Sequence, residues 1–257
     1  MNKNNPRGWL LCLIILMMIS LTGCSTIEKH LLPERFVTEA FLADPIEPLN
    51  RGTDKFNREL DKAAIKPVAK GYRVVTPDPV DKGITNFFNN LADINSAVNN
   101  LLQFKPVRAL SDVGRVCVNT TVGLLGFIDV ASDIGLKNYK EDFGQTLGHW
   151  GVGDKPFLVI PLLGPSTLRD FVGRAGDLMM NPLYYSAQGI YWTALAIQFV
   201  DTRADLLETT DILEEAAVDP YAFLRETYLQ TRKNKIYDGD PPLEDANFDD
   251  QIIFDDE

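Results

Sequence analysis

Cysteine is scarce in this chain, with three in 257 residues, and histidine is scarcer, with only His30 and His149. Cys12 and Cys24 both sit at an apolar N-terminal stretch, which leaves Cys117 alone and allows no intramolecular disulfide in the rest. Two distant histidines without a His-x-x-x-His or clustered Cys/His pattern give no metal site. No Gly-x-Ser-x-Gly elbow and no Gly-x-x-x-x-Gly-Lys-Ser/Thr loop occurs, and no cofactor is expected. Positive charge is also short: 25 Lys and Arg against 36 Asp and Glu give a net charge of −11. That balance argues against nucleic acid, which needs clustered cations. Sustained apolar/polar alternation is missing, so few strands or none are expected.

What is present begins at the N-terminus. Lys3 and Arg7 precede an apolar run from Trp9 to Ile19, and Leu21-Thr22-Gly23-Cys24 closes it. A run that short cannot cross about 30 Å of hydrocarbon, which needs about 20 residues. The pattern reads as a lipoprotein signal over 1–23, cleaved before Cys24, whose sulfur and new amine would then carry acyl chains. Several chains anchor stably where one would not. Ser25 in place of aspartate favours the outer membrane under the sorting rule for such lipoproteins.

Removing Lys3 and Arg7 takes the formal charge from −11 to −13, and Asp238 to Glu257 carries nine acidic residues with no Lys or Arg. The expected organisation is a lipidated spacer over 24–43, one domain over 44–236, and a flexible acidic tail over 237–257. Helical periodicity dominates the domain. Asp78-Pro79 looks like a cap with proline at the first helical position, and Val80, Ile84, Phe87, Phe88, Leu91, Ile94, Val98, Leu101 and Leu102 then recur at three- and four-residue spacing. Asp219-Pro220 opens a second such helix, running to Arg232 and Lys233, and a third is expected between Asp201 and Ala217. Val116–Ile128 and Leu178–Val200 carry no formal charge. Asn181-Pro182, Gln188 and Gln198 make the longer of the two a better fit to an interfacial or buried helix than to a membrane span. Phe157–Pro165 is broken by prolines and cannot be one continuous helix. The glycines around His149 suggest a tight turn, and His149 itself a hydrogen-bonded structural residue. Asp44, Glu47, Asp129, Asp133 and Asp142 are expected to cap helices or face solvent.

The chain resembles the MlaA (VacJ) lipoproteins in Asp44-Pro45-Ile46-Glu47-Pro48-Leu49-Asn50-Arg51, in Phe127-Ile128-Asp129-Val130-Ala131, in Phe143 through Gly153, in Pro161 through Asp170, in Thr202 through Leu207, and in Asp219-Pro220-Tyr221. The resemblance implies an all-α fold: a single helical ring-like domain embedded in the inner leaflet of the outer membrane, enclosing an amphipathic channel. It implies a non-enzymatic conduit that lets misplaced phospholipids descend from the outer leaflet. Its implied partners are a porin trimer and an MlaC-like periplasmic lipid shuttle. On that reading Phe157, Ile160, Leu162, Leu163 and Gly164 are candidates for the lipid pathway. Val122, Leu124, Leu125, Tyr191 and Trp192 are candidates for facing the membrane, and Phe248, Ile252 and Phe254 for binding the carrier. Two alternatives remain open: an envelope lipid or peptidoglycan hydrolase, and a structural tethering lipoprotein.

Overall fold

Prolines in the first turn set the frame of the helices, because a fixed φ and a missing N–H cost nothing there. The computed structural model describes residues 44–210 and 217–242; Cys24, the spacer and the tail residues Phe248, Ile252 and Phe254 lie outside the described residues. The chain divides into two units, Met1–Pro45 and Ile46–Glu257, and every element below belongs to the second.

Helix α1 (Glu47–Leu60) starts on Pro48 and runs through a π-helical stretch, Asp61–Ile65, into α2 (Lys66–Val75). Then come the long α3 (Asp78–Leu102), α4 (Pro106–Thr121), the one-turn α5 (Val130–Asp133) and α6 (Phe143–His149). A hairpin follows, β1 (Phe157–Ile160) against antiparallel β2 (Gly164–Thr167), with Phe157 opposite Thr167 and Ile160 opposite Gly164. After it come α7 (Leu168–Met180), a 3₁₀ turn (Pro182–Tyr185), α8 (Gln188–Asp205) and α9 (Pro220–Ile236). Among the described residues the fold is helical apart from this one hairpin. The strands arise where Pro156, Pro161 and Pro165 forbid a helix, and the chain turns at Leu162 and Gly164, with φ of 67° and 76°.

Three boundaries differ from the sequence expectation. Asp78 is already helical and Pro77 holds the cap position, so the Asp78 side chain caps nothing, although its charge still suits the positive end of α3. Asp201–Asp205 forms the last turn of α8 and not the start of a new helix; residues 207–210 are helical beyond a turn at Leu206, and 211–216 lie outside the described residues. The charge-free Leu178–Val200 is divided between the end of α7, the 3₁₀ turn and α8. Pro182 denies the helix a donor, and the Asn181 side chain accepts from Leu183 N at 3.0 Å instead. Among the described residues no helix is long and apolar enough to cross a membrane.

Helices α6 and α7 cross with their backbones in contact. A Cβ on Gly173 would lie 2.5 Å from the Gly144 nitrogen, so only glycine is tolerated at the crossing. The glycine cluster expected to form a tight approach does so through Gly144, packed under Asp170 and Arg232.

Candidate functional site: an apolar exterior over a polar interior

The periodicity of α3 is the one read from the sequence, but its direction is inverted relative to a soluble protein. Its interior face is Asp81, Asn90, Asp93, Ser96, Asn99 and Asn100, all buried, whereas Val80, Val98 and Leu101 are exposed. Helix α4 repeats the inversion: Asp112, Arg115 and Asn119 point inward, and Val107, Leu110 and Val113 point outward. Most of the largest fully buried side chains are polar, Arg115, Gln145, Asn50, Asn99 and Asn100 among them. Among the described residues the cluster of buried apolar side chains is small: Phe157, Val159 and Tyr221, with Tyr228 and Leu229 against it.

A polar interior is tolerable only if its groups are paired, and here they form linked nodes. Arg115, 2 % exposed, donates from Nε to Asp93 at 2.9 Å, from Nη2 to both Asp129 oxygens at 3.1 Å, and from Nη1 to Ser132 and the Leu136 carbonyl. Ser96 and Asn100 donate to Asp112 at 2.6 and 2.9 Å. Thr146 donates to Asn99, and Gln103 reaches both Glu141 and Thr146. A second node centres on Arg232, which clasps Asp142 at 2.6 and 2.8 Å and Asp170 at 2.9 Å; Tyr228 adds a bond to Asp170 at 2.7 Å. A third holds the hairpin. Asn50 and Asn57, two turns apart on α1, each offer an amide to the free edge of the hairpin's first strand and the turn after it. Asn50 donates to the Phe157 carbonyl and accepts from Val159 N, and Asn57 does the same with Ile160 and Leu162. Arg51 beside Asn50 grips Asp219, the cap of α9, and lies 4.5 Å over the Tyr221 ring.

Burial acts on these acids against their partners. It pushes Asp93 up to about 6 despite Arg115, and Asp177 up to about 6 although Phe143 N–H bonds to it. Burial also opposes ionisation of Asp129, but hydrogen bonds from Ser132, Asn119 and Arg115 prevail and hold it at about 2. The Arg51 hydrogen bond holds half-buried Asp219 at about 2. The raised pair binds protons more tightly folded than unfolded, so stability rises as pH falls through about 6. The lowered pair is the reverse, and its contribution is lost as pH falls from about 4 toward 2. Chemical unfolding in detergent is therefore expected to show greatest stability near pH about 4, above its values at pH about 7 and about 2; a steady decline from pH 7 downward would contradict the assignment of the raised pair.

The sequence-predicted positions fall into distinct places. Val122, Leu124 and Leu125 are exposed on the turn after α4, where Leu124, Leu125 and Gly126 all have positive φ (53°, 60°, 94°). Trp192 is exposed and Tyr191 half-buried on α8, stacked edge-on at 5.1 Å. Leu162 and Leu163 project from the hairpin turn, and Ile160 and Gly164 are half-buried beside it. Phe157 is 1 % exposed and packs edge-on against Tyr221 and Tyr228, so it belongs to the packing under the hairpin and is not on a surface that a lipid could reach. His149 is exposed at the end of α6. Asp129 and Asp142 cap α5 and α6 as expected, each while also holding an arginine, and Asp133 is exposed. Asp238, placed at the start of the tail, is docked on Lys105 and Arg108.

Sequence reading missed Asn50 as a clamp, Arg115 and Arg232 as hubs, and the inward direction of α3. One signal was available: from Gly83 to Leu102 the polar positions are Asn, Asp, Ser and Thr, with no Lys, Arg or Glu. A solvated helix face normally carries such long charges, and short amides and hydroxyls are what an interior can pair.

The family model of the MlaA lipoprotein matches residues 42–235. The chain belongs to the MlaA lipoprotein family. The intermembrane phospholipid transport system lipoprotein MlaA of Escherichia coli K12 is 35% identical over 218 residues, spanning 83% of this chain and 86% of its own. The Haemophilus influenzae protein of the same name is 33% identical over 231 residues, 88% and 89% of the two chains. A solved structure described as the structural basis for maintenance of bacterial outer membrane lipid asymmetry superposes with a TM-score of 0.69 at 35% identity, over 75% of this chain and 98% of that one. The MlaA-like motifs thereby acquire physical meaning: Asn50, Arg51, Asp129, Asp170 and Asp219 are joints of the polar interior.

Proposed function

We propose that this chain is an outer-membrane lipoprotein, anchored through Cys24 on the periplasmic side. In this role it acts as a passive conduit in the maintenance of lipid asymmetry, drawing phospholipids out of the outer leaflet and releasing them to a periplasmic lipid carrier. The observation that carries this reading is the inverted burial. Exposed Val107, Leu110, Val122, Leu124, Leu125, Phe127, Ile128 and Trp192 need an apolar surrounding, and a paired polar interior suits a body whose outside is lipid. The phospholipid-transport names of the relatives support the cargo. A ring-like arrangement, a porin trimer around it and an MlaC-like shuttle below it complete the proposal, the shuttle engaging Phe248, Ile252 and Phe254 of the tail. No bond is broken, and direction comes from the carrier. The hydrolase alternative gains nothing from the placement of exposed His149, or of Asp129 and Asp142, which are occupied as caps and ion-pair partners.

The hairpin turn is the proposed edge of the pathway, with Ile160, Leu162, Leu163 and Gly164 beside it. Its strands are fixed by Asn50 and Asn57 while Leu162 and Leu163 stay exposed, so tryptophan at either leucine adds bulk without disturbing the clamp. Cells carrying Leu162→Trp/Leu163→Trp are expected to accumulate outer-leaflet phosphatidylethanolamine, measured by amine labelling of intact cells, at the level of a strain lacking the protein. Wild-type labelling with normal amounts of the variant would rule out the hairpin's part in the pathway.

A further inference from the structure

A cavity of about 280 Å³ lies between two helical stripes. Asp170, Arg174 and Asp177 line it from α7 and Tyr228, Thr231, Arg232 and Lys235 from α9, with Asp142 at the start of α6. The spacings of four and three residues put each set on one face of its helix.

The charges in this cavity sort into two groups. Arg232 with Asp142 and Asp170 forms the closed node described above, and Arg169 adds a second cation at 3.1 Å from Asp170. While Arg232 Nε and Arg169 Nη2 are buried without a hydrogen-bond partner among the described residues, the charges of that floor are paired internally. The other three charges are not. Arg174 is exposed and donates to the Pro165 carbonyl at 3.2 Å, and among the described residues neither it nor exposed Lys235 has a carboxylate within ion-pair distance. Asp177 accepts through Oδ1 from Phe143 N at 2.9 Å and Asn99 at 3.4 Å, and no cation lies within ion-pair distance of it among the described residues. Its Oδ2 is left for something else.

Two unpaired cations and one unpaired carboxylate around a single small cavity are complementary to a ligand carrying a phosphate and an ammonium. We propose that this cavity is a headgroup site for zwitterionic phospholipids bearing a primary ammonium, Arg174 and Lys235 taking the phosphate and Asp177 the ammonium. The volume holds a headgroup and excludes two acyl chains, which would stay on the apolar exterior. An anionic glycerol headgroup satisfies the cations but leaves Asp177 facing hydroxyls. This inference rests on the lipid-conduit reading and adds a preference to it.

The test uses the full lipidated chain in detergent, mixed with equal amounts of phosphatidylethanolamine and phosphatidylglycerol; lipid retained after gel filtration is quantified by mass spectrometry. The wild type is expected to retain phosphatidylethanolamine roughly three- to fivefold over its share, the size of a partly exposed ion pair. Asp177→Asn keeps the oxygen that caps Phe143 N–H, and is expected to return the ratio to that of the input with total lipid unchanged. Arg174→Gln/Lys235→Gln, both at exposed positions, should lower retention of both lipids. Soluble glycerophosphoethanolamine in excess should displace the bound lipid, and equal displacement by inorganic phosphate would reveal a plain anion site and overturn the proposal. Lipid retained without preference, or a preference that survives Asp177→Asn, would overturn it while leaving the conduit standing. No lipid retained by the wild type would overturn the conduit itself and this site with it.

Discussion

Arg115→Met is expected to cost about 3–5 kcal/mol of folding stability, the range for removing one partner of a buried ion pair. The reason lies in what stays behind. Asp93 and Asp129 lose their shared cation, and Ser132 and the Leu136 carbonyl lose a donor. Asp93 is already pushed up to about 6 with Arg115 in place, so without it the carboxyl would be neutral in the folded state at physiological pH. Equilibrium unfolding in detergent reads the loss directly. The double variant Arg115→Met/Asp93→Leu should recover part of it, because a pair replaced together leaves no orphan charge at that contact. A loss below about 1 kcal/mol for the single variant would mean that water reaches the site and that the interior is not the dry network described.

Retention on membranes without any acyl chain is the second large effect. A chain exported behind a soluble-protein leader, with Cys24 and the lipobox removed, is expected to remain mostly in the membrane fraction. The leucines of the turn after α4 and Trp192 on α8 still need apolar cover. Adding Leu124→Lys, Leu125→Lys and Trp192→Lys should release it: a charge at the centre of the hydrocarbon costs about 2.5–3.5 kcal/mol on insertion scales, less toward the interface, and every 1.4 kcal/mol is about tenfold in partitioning. A rise of at least about tenfold in the soluble fraction is expected. Should the unmodified acyl-free chain appear as a lipid-free soluble monomer, the exterior would have to be read as an ordinary surface, and the tether and hydrolase alternatives would regain ground.

Local features were legible in the sequence because they depend on neighbours in the chain. Asp219 caps α9 through Tyr221 N and Ala222 N, as its place before Pro220 indicates, and prolines bracket the hairpin. Direction was not legible. The apolar stripe of α3 has the same period whether it faces a core or a bilayer, and only the lack of Lys, Arg and Glu on its polar stripe distinguishes the two. The hubs were hidden for another reason. Arg232 meets Asp142 across 90 residues and Arg51 meets Asp219 across 168, and no spacing rule reaches that far. Phe157 was misplaced because alternation in a four-residue strand cannot say which face is covered until Tyr221 and Tyr228 arrive from α9.

The inverted burial also bears on how the folded state responds to temperature. Exposing apolar surface raises the heat capacity on unfolding, by about 0.45 cal/K/mol per Å², and exposing polar surface lowers it, by about 0.26. A chain that hides amides, carboxylates and guanidinium groups while its leucines and valines already lie outside has little of the first and much of the second. Its stability therefore follows a shallow curve with temperature in place of the sharp dome of a soluble domain, and the penalty that cooling imposes on oil-filled interiors falls on it only lightly.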